Sequence, residues 1–386
     1  MYPFLVFGKL IALIFPLQRE YDLFFFFPFY HTGGAEKVHA LIAQSIGSKN
    51  SIIFFTRKSY DETFLPEFLK SGCEIKNISF FTDNKAQYFF NLVYRGIVAG
   101  YINRQRSAPL VFNGQCNFAY KLSPWIKKNI PQVELIHSFN SFSWIRLPYL
   151  PYISRTVMIS KIRITDHLQQ YQQLSVPENY NSRISYIPNG IDIPATGMEK
   201  DWEGPLHVLY AGRATSEKRV HLVAGIAEKV GKEFPQIEFI FMGDVENAIP
   251  EALRPFCKFL GTQHDPAEIL RIYRMAHLLV ISSSAEGFPM AIMEAMAEKC
   301  AILATPVGDI PLHVREEVNG FLFTDAGNEA AIMEEGAAFV RRLNADRKLL
   351  KKMGETNRQY ALENFSLESF QKNYRLLIQS LKSPHA

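Results

Sequence analysis

Short apolar runs that alternate with amphipathic stretches constrain the fold of this chain more than any other sequence feature. The first run, DLFFFFPFY from Asp22 to Tyr30, is apolar at nearly every position. Such a run is typical of a strand that is buried on both faces of a parallel sheet. A turn at Gly33 and Gly34 follows, and Ala35 to Ile46 has helical spacing. This order of strand, turn and helix predicts an α/β chain with a doubly wound parallel sheet.

The alternation occurs twice along the chain, which predicts two sheets. The first series contains further predicted strands at Ser51–Phe55, Leu110–Phe112, Val133–His137, Thr156–Ile159 and Ile184–Ile187. The second contains predicted strands at Leu206–Ala211, Ile237–Met242, Phe256–Leu260, Leu278–Ser282 and Ala301–Ala304. Two such units in tandem are expected to place a ligand cleft at the carboxyl ends of both sheets.

Polar and breaker residues from Pro188 to Pro205 separate the two series and predict an interdomain linker. A chain of 386 residues is also long enough for two domains. We therefore predict an apolar segment at 1–20, an N-terminal Rossmann-like domain at 21–190, and a C-terminal Rossmann-like domain at 191–365. A last segment at 366–386 is expected to cross back onto the N-terminal domain.

Charge and cysteine content restrict the environment in which the chain works. The first 190 residues carry 20 Lys and Arg against 11 Asp and Glu, whereas the remainder carries 22 against 27. A basic first half suggests contact with an anionic partner, and uneven solvation charge is the simpler alternative. The four cysteines form no CxxC pair, which favours free thiols in a reducing compartment. We expect a cytoplasmic protein, at the inner face of the membrane where a membrane is involved.

Residues 1–17, MYPFLVFGKLIALIFPL, are apolar apart from Lys9. The stretch is short for a membrane span, and it lacks the basic start and cleavage site of a signal peptide. Two interpretations remain open. The segment is either a helix that lies in an anionic membrane interface or an extra element that packs on the N-terminal domain.

The segment from Ser284 to Ala297, SAEGFPMAIMEAMA, carries the strongest chemical signal. It follows a predicted buried strand, and Pro289 is expected at the first helical position, where its missing N–H costs nothing. Free amides at that helix start can bind sugar hydroxyls or phosphate oxygens. Glu286 lies just before the helix and can face a sugar. Glu294 lies two turns further and can accept hydrogen bonds from a ribose diol.

A second signal is the turn GRATSEK, which runs from Gly212 to Lys218 after a predicted strand. Gly212 permits a tight turn at the strand end. Arg213 and Lys218 can then converge on a diphosphate above the sheet. Two fixed cations at that place would stabilise the charge that grows on a departing diphosphate without a metal.

Weaker signals lie in the first half. The paired Gly33 and Gly34 can let backbone amides approach a ligand, although an ordinary strand-to-helix turn also uses glycine. His137 ends a predicted strand and points towards the cleft, although a lone histidine is more often structural. The sequence contains no HExxH, CxxC, Walker A, GxSxG, GxGxxG or DxD motif. We therefore expect no metal and no bound cofactor, and we expect no nucleic-acid partner because the basic residues are spread out.

These residues together resemble the retaining glycosyltransferases of family 4, which have the GT-B fold of two facing Rossmann-like domains. The resemblance runs from about Tyr21 to Gln379. Its motifs are GGAE at Gly33–Glu36, YIPNGID at Tyr186–Asp192, AGRATSEK at Ala211–Lys218, FMGD at Phe241–Asp244, EGFPMAIMEAMA at Glu286–Ala297 and NGFLF at Asn319–Phe323.

The resemblance implies a hexosyl transfer from a nucleotide-sugar donor to a saccharide or lipid-linked acceptor, as in cell-envelope polysaccharide, lipopolysaccharide or glycolipid synthesis. It implies that Arg213 and Lys218 hold the diphosphate, that Glu286 contacts the sugar and that Glu294 binds the ribose. The donor would also meet Gly33, Gly34, Gly212, Pro289 and the backbone N–H groups of Gly287, Phe288, Met290 and Ala291, with His137 on the acceptor side. The N-terminal domain at 21–190 would bind the acceptor and the C-terminal domain at 191–365 the donor.

The chain departs from the family pattern in one donor loop. The family usually shows a Gly-Gly pair and then Pro-Glu after the last core strand, whereas this chain has VGDIPL from Val307 to Leu312. The departure concerns donor binding rather than the class of enzyme. An epimerase or phosphorylase on the same scaffold, or a non-catalytic binding subunit, are the alternatives.

Overall fold

The computed structural model describes residues 2–84, 88–137, 139–194 and 199–382, and it divides the chain into two compact units. The first unit comprises Met1–Gly190 and Phe370–Ala386, and the second comprises Ile191–Ser369. Parts of the predicted segments lie outside the described residues, namely Met1, residues 85–87 and 138 of the N-terminal domain, residues 195–198 of the linker and the last four residues of the chain.

The first unit is built on a parallel seven-stranded sheet in the order β3-β2-β1-β4-β5-β6-β7. All five side chains of β1 are buried, which agrees with the apolar sequence from Leu23 to Phe27. The two edge strands, β3 and β7, are partly exposed. The strands are β1 (Leu23–Phe27), β2 (Ser51–Phe55), β3 (Glu74–Asn77), β4 (Leu110–Asn113), β5 (Gln132–Ile136), β6 (Arg155–Met158) and β7 (Ile184–Tyr186).

Helices connect the strands of this sheet, because each parallel crossover needs a connection of a dozen or more residues. The helices of the first unit are α1 (Tyr2–Ile14), α2 (Gly34–Ile46), α3 (Leu65–Leu69), α4 (Ser79–Thr82), α5 (Tyr88–Asn103), α6 (Asn117–Leu122), α7 (Ser141–Ile145) and α8 (Lys161–Gln173).

The second unit repeats the same topology with a six-stranded parallel sheet in the order β10-β9-β8-β11-β12-β13. In both units the first strand lies beside the fourth, which is the doubly wound order with a switch point between them. The strands are β8 (His207–Ala211), β9 (Glu238–Met242), β10 (Lys258–Gly261), β11 (Leu278–Ile281), β12 (Ala301–Ala304) and β13 (Gly320–Leu322).

In the described part of the chain after β7, α-helices again connect and follow the strands. They are α9 (Val220–Gly231), α10 (Pro266–Met275), α11 (Met290–Ala297), α12 (Ile310–His313), α13 (Glu329–Ala345), α14 (Arg347–Phe365) and α15 (Leu367–Lys382). All but the first three residues of α15 belong to the first unit, where Tyr374 is fully buried and its ring contacts that of Phe112.

The division between the two units falls between Gly190 and Ile191, inside the predicted linker. Ile191 is buried in the second unit and exchanges backbone hydrogen bonds with Phe365 and Leu367. After the turn GRATSEK, α9 begins only at Val220, because Arg219 has a left-handed backbone with φ 46°. The predicted α/β class with two doubly wound parallel sheets is confirmed.

None of the helices in the described part of the chain is both long and apolar enough to cross a bilayer. The apolar N-terminal segment forms α1, which packs on α5.

Candidate active site

The predicted donor residues of the second unit lie at the carboxyl edge of its sheet. Strands β8 and β11 are parallel neighbours, so the loops that follow them leave the sheet on the same side. Gly212, Arg213 and Lys218 belong to the loop after β8, and Glu286 belongs to the loop after β11. The backbone N–H of Ser284 donates to the carbonyl of Glu217 at 2.8 Å, which ties the two loops together.

Lys218 and Glu286 form the central contact between these loops. Lys218 Nζ lies 2.5 Å from Glu286 Oε1, and Ser283 Oγ donates to the same oxygen at 2.7 Å. The side chains are 22% and 10% exposed, so the pair is partly screened from solvent but still open to a ligand. A cation and a carboxylate held side by side can engage a phosphate and a sugar hydroxyl of one ligand.

Arg219 fixes the position of the lysine, and the sequence analysis missed it. Its Nε donates to the carbonyl of Ser282 at 2.8 Å, and its Nη1 donates to the carbonyl of Ala326 at 2.7 Å. Ser282 Oγ in turn donates to the carbonyls of Lys218 and Arg219. This exchange holds the loop after β8 against β11. The neighbouring sequence does not distinguish Arg219 from the exposed cations of the turn. Its role follows only from its hydrogen bonds to Ser282 and Ala326, which lie far along the chain.

The start of α11 faces the same edge of the sheet. Pro289 is the N-cap rather than the first helical residue, because its ψ of 131° is extended and the helix begins at Met290. The Phe288 side chain is buried against His313 and Phe365, which anchors the loop and leaves its backbone for ligand contact. The Ile292 N–H donates to the Pro289 carbonyl at 3.1 Å, so the expected N–H groups at this helix start are those of Met290 and Ala291.

After β12 the chain has a single glycine, Gly308, where the family pattern described above has a Gly-Gly pair. It has φ 58°, and a Cβ built on it would lie 2.3 Å from the carbonyl oxygen of Gly287 and 2.4 Å from that of Glu286. The N–H of Asp309 donates to the Gly287 carbonyl at 2.7 Å. The single remaining glycine thus supports the loop that carries Glu286.

Arg213 precedes Lys218 in the loop after β8, and Glu294 follows Glu286 on α11. Tyr273, a buried residue of α10, donates its hydroxyl to Glu294 Oε2 at 2.9 Å, which orients the carboxylate. Burial and this carboxylate raise the pKa of Tyr273 well above its usual range, so the tyrosine remains a donor at neutral pH. Arg213 is exposed, and its carbonyl accepts a hydrogen bond from the hydroxyl of Tyr210 at 3.1 Å.

The glycine turn of the first unit lies at the start of α2. Gly33 is the N-cap in an extended conformation, and a Cβ built on it would lie 2.1 Å from Glu36 Oε2. A Cβ built on Gly34 would meet nothing within 4 Å, so this glycine leaves open space at the helix start. Glu36 is buried beneath the turn, and its burial raises its pKa. Glu36 belongs to the GGAE motif but was not among the predicted site residues.

His137 lies at the carboxyl end of β5 and contacts His39 of α2. The two Nε2 atoms are 3.0 Å apart, and His39 stacks on Phe27 with ring centroids 4.6 Å apart. Desolvation lowers the pKa of His137 to about 4 and holds that of His39 well below its usual range. Both rings are therefore neutral at physiological pH, and His137 can accept or donate one hydrogen bond.

The structure thus brings Lys218 and Glu286 together, with Gly212 and Arg213 on the same loop as Lys218. Glu294 lies further along on α11 and contacts Tyr273. In the first unit, Gly33 and Gly34 lie at the start of α2, whose His39 contacts His137. Among the described residues, no group of three or more His, Cys, Asp and Glu side chains could hold a metal ion.

Residues 199–360 match the family model described as "Glycosyl transferases group 1". A D-inositol 3-phosphate glycosyltransferase of Segniliparus rotundus is 24% identical over 40% of this chain and 38% of its own length. An N-acetyl-alpha-D-glucosaminyl L-malate synthase of Bacillus anthracis is 29% identical over 31% of this chain and 29% of its own length. The matches thus cover well under half of these curated relatives.

Solved structures match nearly the whole chain. Anabaena Alr3699/HepE, crystallised with UDP and glucose, has a TM-score of 0.71 at 16% identity and covers 94% of this chain and 100% of its own. The lipopolysaccharide outer core galactosyltransferase WaaB has a TM-score of 0.68 at 18% identity, with 93% and 99% covered. The chain therefore has the GT-B glycosyltransferase fold, and its second unit carries the match to the group 1 glycosyl transferases.

Proposed function

We propose that this protein is a retaining, metal-independent hexosyltransferase of family 4. It transfers a sugar from a nucleotide-sugar donor to a saccharide or lipid-linked acceptor in cell-envelope polysaccharide or glycolipid synthesis, at the cytoplasmic face of the membrane. The observation that carries the proposal is the contact of Lys218 with Glu286 at the start of α11. It supplies a cation for the diphosphate and a carboxylate for the sugar within one small region.

In the proposed reaction, Arg213, Lys218 and the amides at the start of α11 bind the donor diphosphate. The bond between the sugar anomeric carbon and the phosphate oxygen breaks, and the acceptor oxygen bonds to the same face of that carbon. The acceptor proton passes to the departing phosphate. Charge grows on the diphosphate during this step, so the fixed cations and amides stabilise the transition state more than the bound donor.

Other residues position the two substrates. Glu294, oriented by Tyr273, receives the ribose hydroxyls, and Glu286 receives the hydroxyls of the transferred sugar. The neutral His137 accepts or donates one hydrogen bond on the acceptor side, in the unit that also carries Gly33 and Gly34. No step in this scheme requires a metal ion.

The donor is identified first, by thermal shift against UDP-, GDP-, ADP- and dTDP-sugars, because a ligand specific to the native state raises its stability. HepE was crystallised with UDP, so UDP-sugars come first in that screen. Turnover is then followed by nucleotide release, and the anomeric configuration of the product is read by NMR. Retention is the expected result, and inversion would refute the retaining assignment.

Glu286→Gln tests the site. We expect at least a hundredfold loss of turnover because the amide cannot accept hydrogen bonds as a carboxylate does. Glu334→Gln is the matched control, since Glu334 also pairs with a lysine, Lys229, at 2.6 Å but lies on an exposed helix face. Full activity of Glu286→Gln would reject the site. Epimerised free donor without acceptor would instead support an epimerase, and donor binding without turnover a non-catalytic subunit.

A further inference from the structure

Helix α1 is apolar apart from Lys9, and only one of its sides is buried. Gly8 and Ala12 of α1 face Gly96 and Gly100 of α5. A Cβ built on Gly8 would lie 2.1 Å from the carbonyl oxygen of Val93, so the two helix backbones are in direct contact. Close packing through small residues fixes α1 on the first unit and therefore fixes the direction of its outer side.

The outer side of α1 exposes large apolar side chains. The exposed residues between Tyr2 and Phe15 are Tyr2, Phe4, Val6, Phe7, Leu10, Leu13, Ile14 and Phe15, each at least 41% exposed. These eight are more than a third of the 22 exposed large hydrophobic residues in the described part of the chain. Such clustering on one short helix differs from the scattered exposure that is normal on soluble proteins.

Aromatic contacts extend this surface beyond α1. The ring of Phe4 contacts Phe89 at 6.4 Å, and Phe89 contacts Phe90 at 4.2 Å. Phe90 contacts Phe81, which in turn contacts the 70% exposed Phe80. We call the outer side of α1 together with Phe80 and Phe89 the apolar face.

Cations border the apolar face. Lys9 lies 5.7 Å from the ring centroid of Trp125, whose ring contacts Tyr2, and Lys121 lies 5.9 Å from the ring centroid of Tyr88. Arg104 donates to the carbonyl of Ala12. In the sequence, residues 1–19 contain no Asp or Glu, and residues 84–133 contain seven Lys and Arg with no Asp or Glu. The surface therefore combines apolar side chains with positive charge.

We propose that the apolar face docks onto a bilayer that contains anionic phospholipids. The 13 residues of α1 are too few to span the hydrocarbon core, so the helix lies in the plane of the interface. Its outer side chains enter the boundary between headgroups and acyl chains, and the bordering cations meet lipid phosphates. A symmetric contact with a second copy is disfavoured because it would bring cationic borders together without an acidic complement.

The apolar face is the surface through which the protein would bind the membrane at its proposed location. This docking rests on the proposed function only for its setting, because lipid binding is measured without turnover. Docking on an anionic bilayer would account for both the basic first half of the chain and its apolar N-terminal segment. A lipid-linked acceptor would then be presented to the unit that carries His137.

The test is flotation of the full chain with vesicles of phosphatidylcholine alone and of an equimolar mixture of phosphatidylcholine and phosphatidylglycerol. We expect binding to the anionic vesicles that weakens with salt. Leu10→Asp should reduce it by about tenfold or more, because it replaces an inserted side chain with a charge of the same sign as the lipid. Leu376→Asp, at a 52% exposed position of α15 against 51% for Leu10, should bind as the wild type does.

Donor binding by thermal shift is measured in parallel and should be unchanged in Leu10→Asp, which separates failure of docking from failure of the proposed activity. Absence of wild-type binding to anionic vesicles, or equal binding by Leu10→Asp, would overturn the inference. So would a concentration-dependent dimer that Leu10→Asp abolishes, since the apolar face would then be an interface between copies.

Discussion

Lys218→Ala is the substitution that most directly tests the proposed chemistry. The Lys218 ammonium lies 2.5 Å from Glu286, in the loop that the buried Arg219 holds against β11. It is therefore held before the donor arrives. Removing one such fixed stabiliser from a developing anion costs about 3–4 kcal/mol in the transition state, which corresponds to a loss of kcat of about 10²–10³-fold. Loss of the part-buried ion pair should lower the free energy of unfolding by only about 1–2 kcal/mol.

The assay is nucleotide release at saturating donor, with kcat and KM determined separately and folding followed by circular dichroism. Lys229→Ala is the matched control, because Lys229 forms a 2.6 Å pair with Glu334 on the exposed surface of the same unit. We expect its kcat to equal that of the wild type. Lys218→Arg should recover part of the activity because it restores the charge but not the shape. A folded Lys218→Ala protein with kcat within threefold of wild type, on the order of 0.7 kcal/mol, would refute the reasoning.

Three further predictions concern stability and support of the site. Gly308→Ala adds a Cβ close to the carbonyl of Glu286 and strains a left-handed backbone. We therefore expect donor binding, measured by titration calorimetry, to weaken at least tenfold. Unchanged affinity would show that Gly308 does not support the loop. Glu134→Gln leaves the fully buried Arg146 without its carboxylate partner. Because a buried charge without a partner is costly, we expect the free energy of unfolding, measured by urea denaturation, to fall by about 3–5 kcal/mol. A loss below about 1 kcal/mol would contradict this. The folded-state pKa of His137 lies below its unfolded value, so the unfolded state binds the proton first as the pH falls. The free energy of unfolding therefore decreases between pH 6.5 and pH 4, by up to about 3 kcal/mol. His137→Gln should flatten that part of the pH profile of the melting temperature, and an unaltered slope would exclude this histidine as its source.

Local sequence pattern was enough to locate most strands. The runs at Ser51–Phe55 and Ala301–Ala304 match β2 and β12 residue for residue, because strands buried on both faces are apolar at nearly every position. The pattern missed β3, which is partly polar, and β13, which is only three residues long. It also placed the start of α11 one residue early, because Pro289 suits both the N-cap and the first helical position.

The sequence by itself determined the two alternating series, the glycine turns and the motifs that bear charge. These features are local, since strand and helix periodicity and turn chemistry depend on neighbouring residues. Only the tertiary structure decided that Arg219 holds Lys218 in place, that His39 meets His137, and that Gly8 brings α1 against α5. Each of these contacts joins residues about 60 to 100 positions apart, and which distant side chains meet follows from how helices and strands pack rather than from any local pattern.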